Sequence, residues 1–400
     1  MKSEKVGVWL VGACGSVGCT VALGVVALGK RLTSTLGLVT ELPLFAKLDL
    51  PQPGSFVLGG HEIRSETLTE AARALNERSG LFDRDLLRTC GPRLRRMQAN
   101  IARGTLIGTS HTIRRLCNET THKRDRTPAA AVRRLSADIQ NFRHRHRLTH
   151  VVVVHLGSSE PPVKKAAAHA SFARLERALA RPGSRVLPMS SLYALAAIES
   201  GSAYVNFTPS AGIDIPAIRE RAEKLGLPYM GRDGKTGESL VKSALAPMFS
   251  MRNLQVMSWF GQNILGNRDG EVLRDPATRA SKIRSKDKGL SRILGRDAQT
   301  GVSIDYVRSL HDWKVAWDFI HFRGFLGTKM SMQFTWQGSD SILAAPLVID
   351  LVRLAVRESR AGRAGPMKHL ACFFKDPLGV SEMALAGQWK LLEEHVLRHG

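Results

Sequence analysis

Four lysines stand in sequence contexts that could support proton transfer or the binding of an anion. Lys282 and Lys286 are four residues apart, and on a helix like charges at that spacing are destabilising by about 0.2–0.5 kcal/mol. An anion held between them would reverse that effect, although a solvated basic face would give the same pattern. Lys314 lies in a strand-like segment two residues after Asp312, and Lys375 lies in the apolar segment CFFKDPLG. Partly buried lysines can have a lowered pKa and act as acids, bases or oxyanion partners.

Carboxylates, amides and hydroxyls cluster in three further segments. GRDGKTGES (231–239) is a glycine-rich turn before a helical pattern, GQNILGNRDG (261–270) follows a strand-like run, and a long apolar helix is predicted from residue 340. The polar residues of interest are Asp233, Lys235, Thr236, Asn263, Asn267, Asp269, Asp340 and Ser341. Asp340 is placed to cap the predicted helix. This density of polar groups and lysines indicates a site for a polyhydroxylated, phosphorylated molecule.

The N-terminal stretch VGVWLVGACGSVGCTVALGVVALG (6–29) allows two interpretations. It carries no charge and follows a basic start, which is typical of a signal peptide or a membrane anchor. It also has a strand–turn–helix pattern in which Gly12, Gly15 and Gly18 form GxxGxxG, and such glycines let backbone N–H groups approach a pyrophosphate. Six glycines weaken a membrane helix, and a cleaved signal would remove the first strand of the sheet. We therefore interpret the stretch as a dinucleotide-binding turn in a protein without a membrane segment.

The acidic residue that should bind the ribose of the dinucleotide is not at its usual place. It is expected about 20 residues after the turn, and none stands there. The segment LTSTLGLVTELPLFAKL has the character of an insertion before the next strand, which ends in VLGGHEI. Glu62 at that end is either the ribose carboxylate or a loop glutamate.

Composition points to an anionic partner. The chain has 400 residues, a net charge of +23 and a pI near 10.4, which suits a nucleic acid, a membrane surface or a phosphorylated substrate. Residues 84–148 hold 16 Lys/Arg against four Asp/Glu. This basic segment is either a nucleic-acid footprint or a solvated insertion, and its few aromatics and lack of a recognisable nucleic-acid module favour the second. Five scattered cysteines without metal-site spacing are typical of a reduced compartment, here the cytoplasm.

Apolar runs alternate with helical patterns through the first 240 residues. Strands are predicted at 6–11, 55–59, 149–157 and 203–207, and helices at 66–77, 163–181, 190–200 and 214–225. This alternation predicts βαβ units around a parallel sheet that is covered on both faces. Later segments alternate with period two and predict half-buried, antiparallel strands, before an apolar helix returns. They are 302–308, 313–321 and 328–336, and the helix is 340–358.

Nine segments resemble, in the same order, motifs of the myo-inositol-1-phosphate synthase family. They are VGACGSVGCT (11–20), GGHEIR (59–64), VNFTP (205–209), GRDGKTGES (231–239), NILGNRDG (263–270), ASKIRSK (280–286), HDWKVAWDF (311–319), GSDSILAAPLVIDL (338–351) and FKDPL (374–378). The resemblance implies an α/β fold in which a Rossmann-type NAD-binding domain (1–240 and 342–400) receives an α+β catalytic and oligomerisation domain (241–341). The inserted domain would carry an open, mostly antiparallel sheet that pairs between subunits of a homotetramer.

The reaction implied by this resemblance converts glucose 6-phosphate to an inositol monophosphate. Carbon 5 of the open-chain sugar would be oxidised with tightly held NAD, and an enolate at carbon 6 would then close the ring on carbon 1. The resulting ketone would be reduced with the same cofactor, so that the reaction is redox-neutral. Cations placed in advance stabilise the enolate and alkoxide charges that develop.

The resemblance also implies which residues form the site. The substrate groups would be Lys282, Lys286, Lys314, Lys375, Asn263, Asn267, Asp269 and Asp312. Lys282 and Lys314 would transfer protons and stabilise oxyanions, while the other two lysines would complete the cluster around the substrate oxygens and phosphate. The cofactor groups would be Gly12, Gly15, Ser16, Val17, Gly18, Glu62, Asp233, Thr236, Asp340 and Ser341.

Several positions depart from the family motifs. Arg232 and Arg268 stand where the family has Asp and Asn, Ser339 replaces Glu, Trp313 replaces Ser, and Gly261-Gln262 replaces Ser-Tyr. The two arginines could bind a second anion, select another phosphorylated sugar, or disfavour the metal ion that some members use. The sugar therefore stays open, as does the participation of a divalent or monovalent cation. The alternatives are a diverged enzyme acting on another phosphorylated sugar and, in a different class, a basic nucleic-acid-binding protein.

Overall fold

The computed structural model describes residues 4–115, 117, 125–273, 276, 289–295 and 297–399, without the side chains of 268 and 269. Seven parallel strands form the larger of two sheets, in the spatial order β3-β2-β1-β4-β5-β6-β11. They are β1 (Val6–Val11), β2 (Phe56–Glu62), β3 (Ile101–Arg103), β4 (His150–His155), β5 (Ala203–Asn206), β6 (Pro228–Gly231) and β11 (Gly365–Pro366). This order is that of a doubly wound dinucleotide-binding fold, whose switch point lies between β1 and β4.

Helices cover this sheet. Apart from helical residues at 289–294, which adjoin a part of the chain that the structure does not describe, the α-helices of the described residues are α1 (Ser16–Gly29), α2 (Leu68–Ser79), α3 (Arg84–Gln98), α4 (His111–Arg115), α5 (Pro128–His146), α6 (Phe172–Leu179), α7 (Met189–Glu199), α8 (Pro216–Lys224), α9 (Gly237–Met251), α10 (Arg268–Val272), α11 (Asp340–Arg360) and α12 (Leu385–His399). Helix α1 packs against α2, α3 and α11, while α5 packs against α7. The four valines of β4 are at most 2% exposed, as expected for a strand buried on both faces. The predicted α/β fold with a parallel sheet is confirmed.

The smaller sheet has the order β10-β9-β7-β8. Its strands are β7 (Gln255–Leu265), β8 (Gln299–Tyr306), β9 (Trp313–Arg323) and β10 (Lys329–Ser339). The pairs β10–β9 and β9–β7 are antiparallel, and β7–β8 is parallel. The sheet is therefore mostly antiparallel, as predicted. One face packs on α9 around Trp259, Ile320 and Phe249.

The uncharged N-terminal stretch folds as β1 and α1, with nine of the fourteen residues of α1 buried. In the part of the chain that the structure describes, no helix is long and apolar enough to cross a membrane. The stretch is thus the first strand and helix of the parallel sheet, as the glycine pattern indicated.

Two helix predictions were wrong. The segment 163–181 forms a short 3₁₀ turn at Ala167–Ala170 and only then α6, because the buried ring of His169 donates to the carbonyl oxygen of Val186 at 2.7 Å and holds the chain out of a continuous helix. Asp340 does not cap α11. Ser339 is the cap, and its hydroxyl accepts from the backbone N–H of Ile342.

The two suspected insertions differ in how they join the fold. The segment 30–55 is held on α11 by the buried Asp350, whose carboxylate accepts from the N–H groups of Val39 and Thr40 at 2.8 and 3.1 Å. The basic segment 84–148 supplies β3, α3 and α5 to the larger sheet and its helical layers. The described residues of this segment are therefore part of the doubly wound fold.

Candidate active site

A cleft of about 560 Å³ lies between the carboxyl ends of the parallel strands and the smaller sheet. Its size is in the usual range for ligand sites, and the carboxyl ends of strands near a switch point are where such folds bind nucleotides. Thirteen of the predicted site residues line it: Gly12, Gly15, Ser16, Val17, Glu62, Asp233, Thr236, Asn267, Asp312, Lys314, Asp340, Ser341 and Lys375.

The glycine turn forms one end of the cleft. Gly12 has a φ of +84°, a conformation that favours glycine, and a Cβ there would lie 3.3 Å from the backbone nitrogen of Gly157. Gly15 is the residue before α1 and has no side chain to occupy the N–H groups of the first helical turn. The turn therefore presents a helix N-terminus to the cleft, which suits a pyrophosphate.

Gly18 lies behind the turn and does not line the cleft. A Cβ at this position would lie 2.4 Å from the carbonyl oxygen of Ala13, so only glycine allows α1 to approach the turn this closely. Its predicted contact with the cofactor stays a prediction. Gly18 packs the helix against the strand that precedes it.

Glu62 ends β2, beside the glycine turn. Its carboxylate accepts from the N–H of Cys14 at 2.8 Å and from the N–H of Ile63 at 2.9 Å, and Arg64 pairs with it at 3.3 Å. The insertion at 30–55 explains why this carboxylate is so far along the sequence from the turn. Arg64, which the sequence reasoning did not single out, also lines the cleft and is held by Glu66 at 2.8 Å.

The strand pairings of the smaller sheet bring together the lysine at the other end of the cleft and its partners. Lys314 on β9 pairs with Leu265 on β7 and with Gly338 on β10, so Asn267 and Asp340 follow just beyond the sheet. Lys314 Nζ lies 3.5 Å from Asp340 Oδ1, and Asn267 Nδ2 donates to Asp340 Oδ2 at 3.4 Å. The side chain of Lys314 is buried in this contact.

Asp312 supports the start of α11. Its Oδ2 accepts from the hydroxyls of Ser339 and Ser341 at 2.5 and 2.6 Å and from the N–H of Ser341 at 3.1 Å. Burial raises the pKa of Asp312, and the two serine hydroxyls oppose that shift. Ser339, which departs from the family's Glu, places a donor against this carboxylate, where a glutamate would bring a second negative charge.

A backbone ladder between two distant segments places Lys375. The N–H of Lys375 donates to the carbonyl oxygen of Asp233 at 2.7 Å, and the N–H of Lys235 donates to that of Phe373 at 2.8 Å. Lys375 Nζ consequently lies 2.9 Å from Asp233 Oδ1. Lys235 is buried behind this pair, where its Nζ donates to Gln388, and burial lowers the pKa of Lys235 to about 8.

The same backbone hydrogen bonds between the two segments place Arg232 beside Asp376. Its guanidinium donates to Asp376 Oδ2 through Nη2 at 2.7 Å and through Nε at 3.0 Å, and it does not line the cleft. The hypothesis that Arg232 binds an anion or a second phosphate is therefore not supported by its position. Arg232, one of the departures from the family motifs, therefore has an acidic partner in Asp376.

Gly261, another departure from the family motifs, makes room for a buried cluster of charged side chains that the sequence analysis did not predict. Lys242 Nζ lies 2.6 Å from Glu238 and 2.9 Å from Asp318, and Trp259 donates to Asp318 at 2.7 Å. A Cβ on Gly261 would lie 2.5 Å from Lys242 Nζ, so the glycine that replaces the family's Ser leaves space for the cluster. The spacing of Glu238 and Lys242, four apart on α9, was the available signal.

The remaining predicted residues lie elsewhere. Asn263 is buried in β7, paired with Ala316 and Ile304 on the neighbouring strands, and does not line the cleft. Lys282 and Lys286 fall outside the described residues, as do the side chains of Asp269 and Arg268.

Comparison with known families decides what kind of protein has this cleft. A sequence model of the family described as myo-inositol-1-phosphate synthase matches residues 6–398. The chain belongs to the myo-inositol-1-phosphate synthase family. Members of this family are NAD-dependent enzymes, which agrees with a glycine turn and a cluster of lysines in one cleft.

Individual relatives agree with the family over most of the chain. Inositol-3-phosphate synthase 1 of Bacteroides thetaiotaomicron is 32% identical over 98% of this chain and 94% of that protein. The crystal structure of inositol-3-phosphate synthase from Caenorhabditis elegans superposes with a TM-score of 0.87 at 24% identity, over 99% of this chain and 86% of that one. A myo-inositol-1-phosphate synthase-related protein from Thermotoga maritima has a TM-score of 0.76 at 21% identity, over 98% of both chains. The predictions of family and fold are confirmed.

Proposed function

We propose that the chain is an inositol-3-phosphate synthase that converts D-glucose 6-phosphate to 1D-myo-inositol 3-phosphate without net oxidation or reduction. The observation that carries the proposal is the single cleft that holds a dinucleotide turn at one end and Lys314 with Asp340 at the other. The 32% identity to the Bacteroides protein of that name over nearly the whole chain supports the same activity.

The residues at the first end of the cleft fit NAD. The proposed contacts are the α1 N-terminus at Gly15, Ser16 and Val17 for the pyrophosphate, and the Glu62 carboxylate for the adenosine ribose. Asp233, Thr236, Asp340 and Ser341 are proposed for the nicotinamide end because they line the cleft beyond the turn. When bound, the nicotinamide supplies reversible hydride transfer, so that a hydroxyl carbon is oxidised and later restored.

Lys314 is proposed to hold and move the proton of the reacting hydroxyl. Its Nζ is fixed by Asp340 Oδ1, and its ammonium group would stabilise the alkoxide and enolate oxygens that form next to it. Asn267 keeps the Asp340 carboxylate in place, and its own Oδ1 accepts from the N–H of Gly270 at 2.9 Å. Asp312 is proposed to act through Ser341 by fixing the first turn of α11.

Lys375 is proposed to bind the oxygens at the phosphate end of the sugar. Asp233 orients its Nζ, and the buried Lys235 adds positive charge behind it. Lys282, Lys286 and Asp269 complete the proposed site on the basis of the family resemblance, since they lie outside what the structure describes. Asn263 is proposed as a support of the sheet beneath the site.

The described residues do not fit a cation in this cleft. Asp233 and Asp340 are each paired with a lysine, and Asp312 accepts two serine hydroxyls at Oδ2, so the buried Asp312 Oδ1 alone has no hydrogen-bond partner among the described atoms of these three carboxylates. A divalent cation requires several free oxygen ligands, so no step of the proposal uses one.

The exposed face of the smaller sheet supports an interface between subunits, and the family resemblance makes a homotetramer the proposed assembly. Phe260 and Trp317 on this face are 43% and 42% exposed, and Phe319 lies beside Trp317 with the rings 6.3 Å apart. Large exposed aromatic side chains on one sheet face are typical of an interface. We propose that residues 241–341 form the domain that pairs there, and that the enzyme works in the cytoplasm.

The test is product identification. Purified protein is incubated with NAD and glucose 6-phosphate, mannose 6-phosphate or fructose 6-phosphate in parallel, and the products are separated by chromatography. The proposal predicts inositol phosphate from glucose 6-phosphate alone, with no accumulation of NADH. Product from another sugar, or NADH formed in step with substrate loss, would instead support the diverged enzyme.

A further inference from the structure

Two histidines and a glutamate from three separate elements meet on the side of the protein formed by the C-terminal helix. Glu358 lies near the end of α11, His369 lies in the 3₁₀ helix Lys368–Phe373, and His395 lies in α12. One ligating atom of each lies within 4.8 Å of the others. None of the three lines the catalytic cleft, so the cluster is separate from the proposed active site.

The donor types and distances suit a transition-metal ion. His395 Nε2 lies 3.0 Å from Glu358 Oε1, and zinc bonds of about 2.0–2.2 Å at a tetrahedral angle require a separation of roughly 3.3–3.6 Å between two ligand atoms, so these two atoms must move slightly apart to bind one ion. His369 Nε2 is buried and has no hydrogen-bond partner among the described residues. The imidazoles of His369 and His395 are stacked 3.6 Å apart, so rotation of one ring about its Cβ–Cγ bond is needed to aim both nitrogens at one ion.

His399, which is exposed and lies outside that group of three, is the candidate for a fourth ligand. His399 follows His395 by four residues on α12, and the two ring centres are 4.7 Å apart. Histidines four apart on one helix face are a recurring arrangement in zinc sites. A cavity of about 370 Å³ lined by all three histidines and Glu358 gives an ion access from solvent.

One neighbouring arginine orients the glutamate. Arg363 donates to both oxygens of Glu358, at 2.7 and 2.8 Å. A carboxylate accepts about four bonds, so this pairing fixes the group and leaves lone pairs for a metal. Hydrogen bonds of this kind to a ligating carboxylate are common in metal sites.

We propose that Glu358, His369 and His395, with His399 as the fourth ligand, form a structural site for a divalent transition-metal ion of the zinc class. The ion joins α12 to α11 and to the 3₁₀ helix. The site needs no substrate or nucleotide, so its test is independent of catalysis.

The experiment measures zinc binding by the full-length protein. The protein is stripped with EDTA and desalted, and zinc is titrated in competition with a chromophoric chelator. The wild type is compared with His369→Ala and His395→Gln, and with the matched control His111→Ala, whose histidine is exposed on α4. We expect one zinc per chain in the wild type and the control. In the two cluster variants the affinity for zinc should be lower by about 10- to 100-fold. Zinc should raise the Tm of the wild type and of His111→Ala, and it should leave the Tm of the two cluster variants unchanged.

Two results would overturn the proposal. One is equal zinc affinity in the wild type and both cluster variants, which would place the bound metal elsewhere. The other is no zinc binding by the wild type, and a lower Tm of His395→Gln in EDTA would then identify the cluster as a hydrogen-bonded contact between helices. His395→Gln keeps a polar side chain at a half-buried position, and its circular dichroism spectrum in EDTA checks its folding if His369→Ala is unstable.

Discussion

The two ends of the cleft are built in different ways. At the nucleotide end, backbone groups of one glycine turn and one carboxylate, Glu62, come from two neighbouring parallel strands. At the lysine end, Lys314, Asn267, Asp340 and Lys375 come from four parts of the chain and are held as charge and hydrogen-bond pairs. The first end depends on shape and close approach, and the second depends on the placement of charges.

This difference teaches which substitutions each end tolerates. A glycine turn fails when atoms are added, because backbone must contact backbone. A buried charge pair fails when one partner is removed, because the other charge is left without compensation. The following predictions separate these two kinds of failure.

The largest effect is expected at the lysine end. Lys314→Met keeps the volume of the side chain and removes the cation, so turnover of glucose 6-phosphate should fall by about 10²- to 10³-fold, as when one oxyanion donor is lost. NAD binding, measured by fluorescence titration, should be unchanged. Lys329→Met, at an exposed position of the same sheet, is the control and should keep wild-type turnover. Wild-type turnover by Lys314→Met would remove this lysine from the mechanism.

At the nucleotide end, an added methyl group should be harmful at one position of α1 and harmless at another. Gly18→Ala puts a Cβ against the Ala13 carbonyl oxygen and should lower the free energy of unfolding by about 1–3 kcal/mol and weaken NAD binding. Gly24→Ala meets only Ile349 Cδ1 at 3.8 Å, and should stabilise the helix by up to about 1 kcal/mol. Urea unfolding of both variants measures the difference, and equal effects would contradict the packing role of Gly18.

Arg232 should matter for stability and not for substrate affinity. Arg232→Ala removes the guanidinium that pairs with the mostly buried Asp376 and should lower the free energy of unfolding by about 1–3 kcal/mol. The double variant with Asp376→Ala should recover most of that loss, and KM for glucose 6-phosphate should stay near the wild-type value. A sharp rise in KM with unchanged stability would show that Arg232 binds substrate after all.

The smallest effect is expected from Glu62→Gln. The amide keeps the size of the carboxylate and loses its charge, so Kd for NAD should rise by about tenfold, the equivalent of weakening a charged hydrogen bond. Turnover at saturating NAD should return to the wild-type rate, which is the internal control. A lower rate at saturation would place Glu62 in the chemistry and not only in cofactor binding.

The sequence could predict those features of the fold that depend on a local pattern of residues. The buried valines of β4, the glycine turn and the period-two strands of the smaller sheet each carry their signal within a few residues. The family motifs added the lysines, and thirteen of the predicted site residues line one cleft.

The features that the sequence could not predict depend on contacts between residues far apart in the chain. The pairing of Arg232 with Asp376 depends on backbone hydrogen bonds between segments more than 130 residues apart. No local sequence pattern indicates that these two residues are neighbours. The helix predicted at 163–181 failed because one tertiary hydrogen bond of His169 outweighs the local preference. Asp340 was chosen as a cap over Ser339 because the helix start could be placed only to within a residue or two.

The central claim is that one cleft both oxidises and restores the same carbon. The most direct test uses glucose 6-phosphate labelled with deuterium at carbon 5, with unlabelled NAD in excess, and mass spectrometry of the inositol phosphate formed. The account predicts that the deuterium is retained in the product and that none appears in the free NADH pool. Loss of the label to the cofactor pool, or a product that is not cyclic, would contradict it.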